Sequence, residues 1–169
     1  NPEVIRATIE SGGKNLLDGL ENVLGDLDPK DGSLKTKMMD TEAFELGRNL
    51  ALTPGKVVFQ TELMQLIQYA PSTEQVHQRP LLIVPPWINK YYVLDLNEKK
   101  SMVRWLVGQG HTVFMISWVN PDARQKDKTW ESYMFDGASA AIDKVLEETG
   151  QTSLHVASYC IGGTMTGNL

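Results

Sequence analysis

Leu154-His155-Val156-Ala157-Ser158-Tyr159-Cys160-Ile161-Gly162-Gly163 decides how this chain is read. A short apolar run leads into the sequence's single cysteine, and two glycines follow one residue later. Residues 154–157 predict a buried strand. Gly162 and Gly163 let a helix begin close against it. The pattern predicts a tight strand-to-helix turn that holds the Cys160 side chain out into the open.

Such a turn has the layout of the nucleophile elbow, G-x-S-x-G, in which small residues two positions either side let strand and helix backbones nearly touch. Here it is S-x-C-x-G, with sulfur in place of oxygen and Ser158 in place of the first glycine. A lone cysteine is commonly a small buried apolar residue. The flanking strand and double glycine favour an activated thiolate, because a helix N-terminus lowers a thiol pKa.

Composition bounds the alternatives. With 169 residues, 41% hydrophobic and 22% charged, the chain can bury one ordinary core. A net charge of −5 and the absence of a basic stretch argue against a nucleic-acid partner. One cysteine makes no internal disulfide, which fits a reducing cytoplasm. No apolar run approaches the roughly 18 residues of a membrane span, and Asn1-Pro2-Glu3 opens no secretory signal. The start at Asn1 rather than methionine predicts a piece of a longer chain.

The order of elements follows from periodicity. Leu16, Leu17, Leu20, Val23, Leu24 and Leu27 recur at helical spacing after a shorter turn with Ile5 and Ile9, and predict a packing stripe, with a partner-binding helix as the sharper reading. Asp28-Pro29-Lys30-Asp31-Gly32 ends that helix, and residues 32–42 read as a polar linker. The expected division is residues 1–40, the end of a helical region and its linker, and residues 41–169, the first part of a catalytic domain.

After the turn Thr53-Pro54-Gly55, residues 56–60 and 64–69 predict two antiparallel strands at a sheet edge. Residues 81–84 predict a fully apolar strand stopped by Pro85-Pro86, and 98–107 a helix with Met102, Val103, Leu106 and Val107 on one face. Residues 112–117 predict the next strand. A long helix over 129–148 then buries Tyr133, Ala138, Ala141, Ile142, Val145 and Leu146 until Gly150 stops it. Alternating strands and helices mean a parallel sheet with right-handed crossovers. Active groups gather at the carboxyl ends of its strands, where Cys160 and Pro85-Pro86-Trp87-Ile88 both fall.

Three blocks resemble polyhydroxyalkanoate synthase of the short-chain, class I type. They are Ser158-Tyr159-Cys160-Ile161-Gly162-Gly163-Thr164, the run from Pro85-Pro86-Trp87-Ile88 to Leu96, and the run from Gly110-His111 to Asn120-Pro121-Asp122. The resemblance covers essentially the whole chain. It implies the N-terminal part of an α/β-hydrolase fold preceded by a helical segment. It also implies a Cys-His-Asp acyltransferase that polymerises 3-hydroxyacyl-CoA and releases CoA, a homodimer working at the surface of cytoplasmic polymer granules. Ser158 stands where the family often has glycine. No metal or organic cofactor is called for, the CoA thioester being substrate.

The chemistry can be stated without the name. A thiolate attacks the thioester carbonyl, a histidine moves the proton, and a carboxylate fixes that histidine's tautomer. The hydroxyl of one acyl unit then attacks the acyl-thioester of another. The expected oxyanion donors are the Ile161 N–H and a backbone N–H of Trp87 or Ile88.

The remaining polar and aromatic residues rank lower. His155 lies inside the nucleophile strand, His111 at the amino end of another and His77 in a loop, so none has the chain order of a triad histidine. That histidine and its acid are expected beyond Leu169. Asp95 and Asp122 read as loop or helix-capping groups. Tyr91, Tyr92, Trp87 and Trp118 are candidate channel walls, with core packing as the alternative, and Lys90 is a solvated lysine or a phosphate contact.

Two other functions compete: a cysteine-dependent esterase or thioesterase that passes the acyl group to water, and a non-catalytic granule-binding piece. The 169 residues alone are expected to be inactive. Their strand at 154–158 would then be an open apolar edge unless another chain covers it.

Overall fold

The structure, a computed structural model, describes residues 1–36, 38, 40 and 42–169. It divides into two compact units, Asn1–Ala43 and Phe44–Leu169. In the first, helices α1 (Pro2–Glu10) and α2 (Lys14–Asp26) are joined through Gly12 and Gly13. Asn1 caps α1 by accepting from the Glu3 N–H. The apolar stripe forms on α2 as its spacing predicts, but it is not a packing stripe among the described residues: Leu16, Leu17, Leu20, Val23 and Leu24 are all exposed. Two short helices enclose no core of their own. Residues 37, 39 and 41 of the expected linker lie outside the described residues.

The second unit is a mixed α/β layer structure around a five-stranded sheet whose order is β1 (Gly55–Gln60), β2 (Met64–Tyr69), β6 (Val113–Trp118), β3 (Leu81–Val84), β7 (His155–Ser158). β1 (Gly55–Gln60) and β2 (Met64–Tyr69) form the antiparallel edge hairpin. β2 pairs antiparallel with β6 (Val113–Trp118), and β6 pairs parallel with β3 (Leu81–Val84). β7 (His155–Ser158) adds parallel to β3 on the other side, with Leu81 opposite His155 and Val84 opposite Ser158. The two parallel strands that come after β3 therefore lie to either side of it. A crevice opens at the carboxyl ends where strand order reverses in this way.

Each face of the sheet carries its own core. On one, Leu66, Leu82, Val84, Phe114 and Ile116 pack with Met134, Ala138, Ala141, Val145 and Met165. On the other, Tyr69, Ile83, Val113 and Met115 meet Val103, Leu106 and Val107. The apolar runs of β3 and β6 are needed because both faces are covered. Each fully buried Leu or Ile there contributes about 1.5–3 kcal/mol.

Three expectations shift. Residues 98–101 do not begin a helix. They belong to a small hairpin of β4 (Asp95–Asn97) and β5 (Lys100–Ser101), and helix α3 (Met102–Gly108) starts only where the Ser101 side chain accepts from the Arg104 N–H. Met102 in consequence sits exposed in its first turn. The helix over 129–148 is a composite: α4 (Trp130–Ser132) runs into a π-helix, Tyr133–Ser139, and then α5 (Ala140–Thr149). Gly137 explains the close approach of the π segment to the sheet, since a Cβ there would lie 2.7 Å from the Trp118 ring. Thirdly, residues 154–157 are not a buried strand: β7 lies at the sheet edge, as the open-edge expectation had it, and His155 and Val156 are exposed.

Candidate functional site

β7 ends at Ser158, Tyr159 comes next, and helix α6 (Ile161–Thr166) begins directly after Cys160. The chain reverses at the cysteine itself, with φ 55° and ψ −134°. Positive φ is a conformation that residues with a Cβ rarely adopt, and holding one there costs roughly 1–3 kcal/mol. Only a turn determined by its surroundings sustains that. The thiol is exposed.

The surroundings that fix the turn are legible atom by atom. A Cβ on Gly162 would stand 2.4 Å from the Val84 carbonyl oxygen and 3.1 Å from the Pro85 carbonyl carbon and oxygen. Only glycine lets the first turn of α6 lie on the end of β3. At Gly163 the nearest atom would be 3.8 Å away, on Ser158, an ordinary contact. The Gly163 and Thr164 N–H groups donate to the Cys160 carbonyl at 3.0 and 3.2 Å. Thr166 Oγ1 donates back to the Gly162 carbonyl at 3.0 Å, which leaves the Ser158 hydroxyl to donate to Thr166 Oγ1 at 2.7 Å. The serine that replaces glycine is thus accommodated and hydrogen-bonded.

Beside the elbow, the chain leaving β3 makes a turn in which the Asn89 N–H donates to the Pro86 carbonyl at 3.3 Å. Trp118 Nε1, at the end of β6, donates to the Pro85 carbonyl at 2.7 Å. The Trp87 ring is clamped edge-on by Trp118 and Trp130 and lies 4.6 Å from Tyr133. Ile88 is exposed. Lys90 Nζ donates to Asn120 Oδ1, tying this loop to the one after β6.

Among the described residues, the N–H groups of Ile161, Gly162, Trp87 and Ile88 reach no acceptor. The arrangement is an exposed thiol beside two short backbone segments whose amide hydrogens are unspent. That can hold an acyl group and the negative charge that develops on its oxygen.

The other residues singled out from the sequence scatter. His155 is at the amino end of β7, and the His77 N–H donates to Gly110, ahead of β6. The His77 and His111 rings lie 4.7 Å apart there, tilted by 43°. All three histidines therefore stand at the end of the sheet away from Cys160. The proposed aromatic wall divides, since Trp87 and Trp118 pack on one face of the sheet and Tyr91 on the other. Asp122 caps a 3₁₀ turn, Ala123–Gln125, by accepting from the Arg124 N–H, and Arg124 holds its carboxyl below the usual range.

Asp95 is more than a loop group: it is 1% exposed and binds Thr53 and Ser101. Sequence reading also missed Trp118 as the anchor of the Pro85 turn. Only its spacing, at the end of an apolar strand, hinted at it. Burial pushes the Tyr159 hydroxyl's pKa up, and among the described residues that hydroxyl is buried without a partner.

A cavity of about 1040 Å³ opens at the carboxyl end of β6 and is lined by Gln65, Ser117, Trp118, Asn120 and Arg124. It includes no residue of the Cys160 turn or of α6. Among the described residues no group of three or more His, Cys, Asp or Glu is placed to hold a metal, and no helix is long and apolar enough to cross a membrane.

Comparison with known proteins bears on this geometry. A family model described as "Poly-beta-hydroxybutyrate polymerase (PhaC) N-terminus" matches residues 1–106. The poly(3-hydroxyalkanoate) polymerase of Methylorubrum extorquens is 54% identical over 165 residues, 98% of this chain and 27% of that protein. The poly(3-hydroxyalkanoate) polymerase subunit PhaC of Cupriavidus necator is 49% identical, with the same coverage on both sides. That of Rhizobium meliloti is 48% identical, again over 98% of this chain and 27% of its own length. The chain spans about a quarter of the length of these curated relatives.

Proposed function

Because the chain belongs to the poly-beta-hydroxybutyrate polymerase (PhaC) family, as the match over residues 1–106 shows, we propose that Cys160 is the nucleophile of a polymerase that joins 3-hydroxyacyl units from CoA thioesters. The observation that carries this reading is the positive φ of Cys160 at a strand-to-helix turn closed by Gly162 against Val84.

The Cys160 thiolate attacks the thioester carbonyl carbon. The oxyanion that forms is met by the N–H of Ile161 and by that of Trp87 or Ile88, each such donor typically worth about 3–4 kcal/mol in the barrier. Collapse of the intermediate expels CoA as its thiol, which takes a proton, and leaves an acyl-Cys160 thioester. The hydroxyl of a second 3-hydroxyacyl unit then loses its proton to a base, attacks an acyl-thioester carbonyl and forms the ester bond as a thiolate leaves. A thioester intermediate suits this task, being close in energy to acyl-CoA and still reactive toward an alcohol.

The base and its orienting carboxylate are assigned to the three quarters of the relatives' length that these residues do not span, since the three histidines here stand at the wrong end of the sheet. In this reading residues 41–169 are the first part of an α/β-hydrolase catalytic domain, and residues 1–40 the end of a helical region with its linker. The protein works as a homodimer on polymer granules in the cytoplasm.

The test uses the full-length protein with labelled 3-hydroxybutyryl-CoA. Unmutated enzyme should acquire covalent label and form polymer, and Cys160→Ala should do neither. Label retained on the alanine variant, or polymer from it, refutes the assignment. Free hydroxy acid in place of polymer would make the protein a thioesterase.

A further inference from the structure

Away from the elbow, at the amino end of β6, a second cavity of about 210 Å³ is lined by Ala51, Thr53, Gly55, Lys56, Val57, Ile67, Tyr69, Tyr91 and Asp95. Its floor is the buried carboxyl group of Asp95. Asp95 is 1% exposed, and its Oδ1 accepts from Thr53 Oγ1 at 2.7 Å and Ser101 Oγ at 2.5 Å. Oδ2 accepts only the Thr53 N–H at 3.1 Å, and among the described residues Asp95 has no ion pair. Beside it Tyr69, 4% exposed, has a buried hydroxyl with no hydrogen-bond partner. Buried hydroxyls are ordinarily bonded, and Asp95 Oδ2, with a single N–H donor, has room for another, so the site can take a further donor between the two.

Lys56 is not that donor. Strand alternation puts Gly55 and Val57 on the same face as their partners Tyr69 and Ile67, and sends Lys56 with Gln68 to the opposite face. A bare metal ion fits poorly: much of the wall is Gly55, Val57, Ile67 and Ala51, and the volume is several times the roughly 30 Å³ of one water.

We propose that this cavity binds a small primary alkylammonium. The ammonium donates to Asp95 Oδ2 and to the Tyr69 phenol oxygen and lies against the tyrosine rings, while a short alkyl chain covers Val57 and Ile67. Carboxylate, aromatic ring and apolar wall together are the features that select an organic cation over sodium or an alcohol.

The experiment titrates n-butylammonium chloride into the full-length protein by calorimetry, with sodium chloride, potassium chloride and n-butanol as controls. Saturable binding is expected for the ammonium alone. Tyr69→Phe should weaken it about tenfold. Val57→Trp, at a half-exposed position on the edge strand, should fill the cavity and abolish it without touching Asp95. Lys56→Met should leave it unchanged. No saturable heat, an equal response to sodium or potassium, undiminished binding by Val57→Trp, or binding that appears only in Lys56→Met would each overturn the proposal.

Discussion

Gly162 and Gly163 are neighbours in one helix and should respond oppositely to the same methyl group. At Gly162 the added Cβ would stand 2.4 Å from the Val84 carbonyl oxygen, with Pro85 backbone at 3.1 Å. Ordinary contact begins near 3.4 Å, so α6 must retreat from β3 by about 1 Å, because the obstacle is backbone and has no rotamer to change. Overpacking of this kind costs about 1–3 kcal/mol, and alanine's helix preference returns at most about 1 kcal/mol of it. Since α6 carries the Ile161 N–H and the strained Cys160, a shift of about 1 Å should also slow acylation on the order of 100-fold. At Gly163 the nearest atom is 3.8 Å away, so only the helix preference acts, and Gly163→Ala should be neutral or slightly stabilising with near-normal rate. Denaturant unfolding and the rate of CoA release from 3-hydroxybutyryl-CoA measure both quantities on the full-length protein. If Gly162→Ala matches Gly163→Ala in stability and rate, close seating of α6 on β3 is not what holds the elbow.

Cys160→Gly should be more stable than Cys160→Ala by about 1 kcal/mol or more in the same denaturation assay, because glycine relieves the φ of 55° at no steric cost. Trp118→Phe removes the donor to the Pro85 carbonyl and should cost about 1–3 kcal/mol. It should also lower the acylation rate by loosening the turn that carries the Trp87 and Ile88 N–H groups. Burial and the nearby Asp95 charge raise the Tyr69 pKa, so Tyr69 keeps its proton in the folded state after the unfolded chain has begun to lose it. Its contribution is complete below about pH 10 and declines as pH rises, at up to about 1.4 kcal/mol per unit. Alkaline unfolding monitored by circular dichroism should therefore be shallower in Tyr69→Phe.

How much the sequence disclosed depended on how local each cause was. The strand at 81–84, the edge hairpin and the turn at Cys160 rest on neighbours in the chain: apolar runs, prolines and paired glycines. The parts that escaped depend on distant contacts. Periodicity extends a helix back to residue 98, but the Asp95 carboxylate holds Ser101 and Thr53 and keeps that stretch in a hairpin. The π-helix over Tyr133–Ser139 accompanies the seating of Gly137 on the Trp118 ring, a pairing that no window around either residue reveals. Exposure of the α2 stripe escaped for the opposite reason, since helical spacing reports an apolar face and says nothing of whether anything covers it.

The position of β7 gives the chain a timetable. The pairings β1–β2, β2–β6 and β6–β3 are all made by residues up to Trp118, so this four-stranded platform can form while the ribosome is still adding later residues. β7 has β3 as its only strand partner among the described residues, and the seat for Gly162 is the end of that same strand. The thiol is therefore emplaced after the platform, on a surface already made, and the strained turn at Cys160 need not exist until the strands that sustain it do.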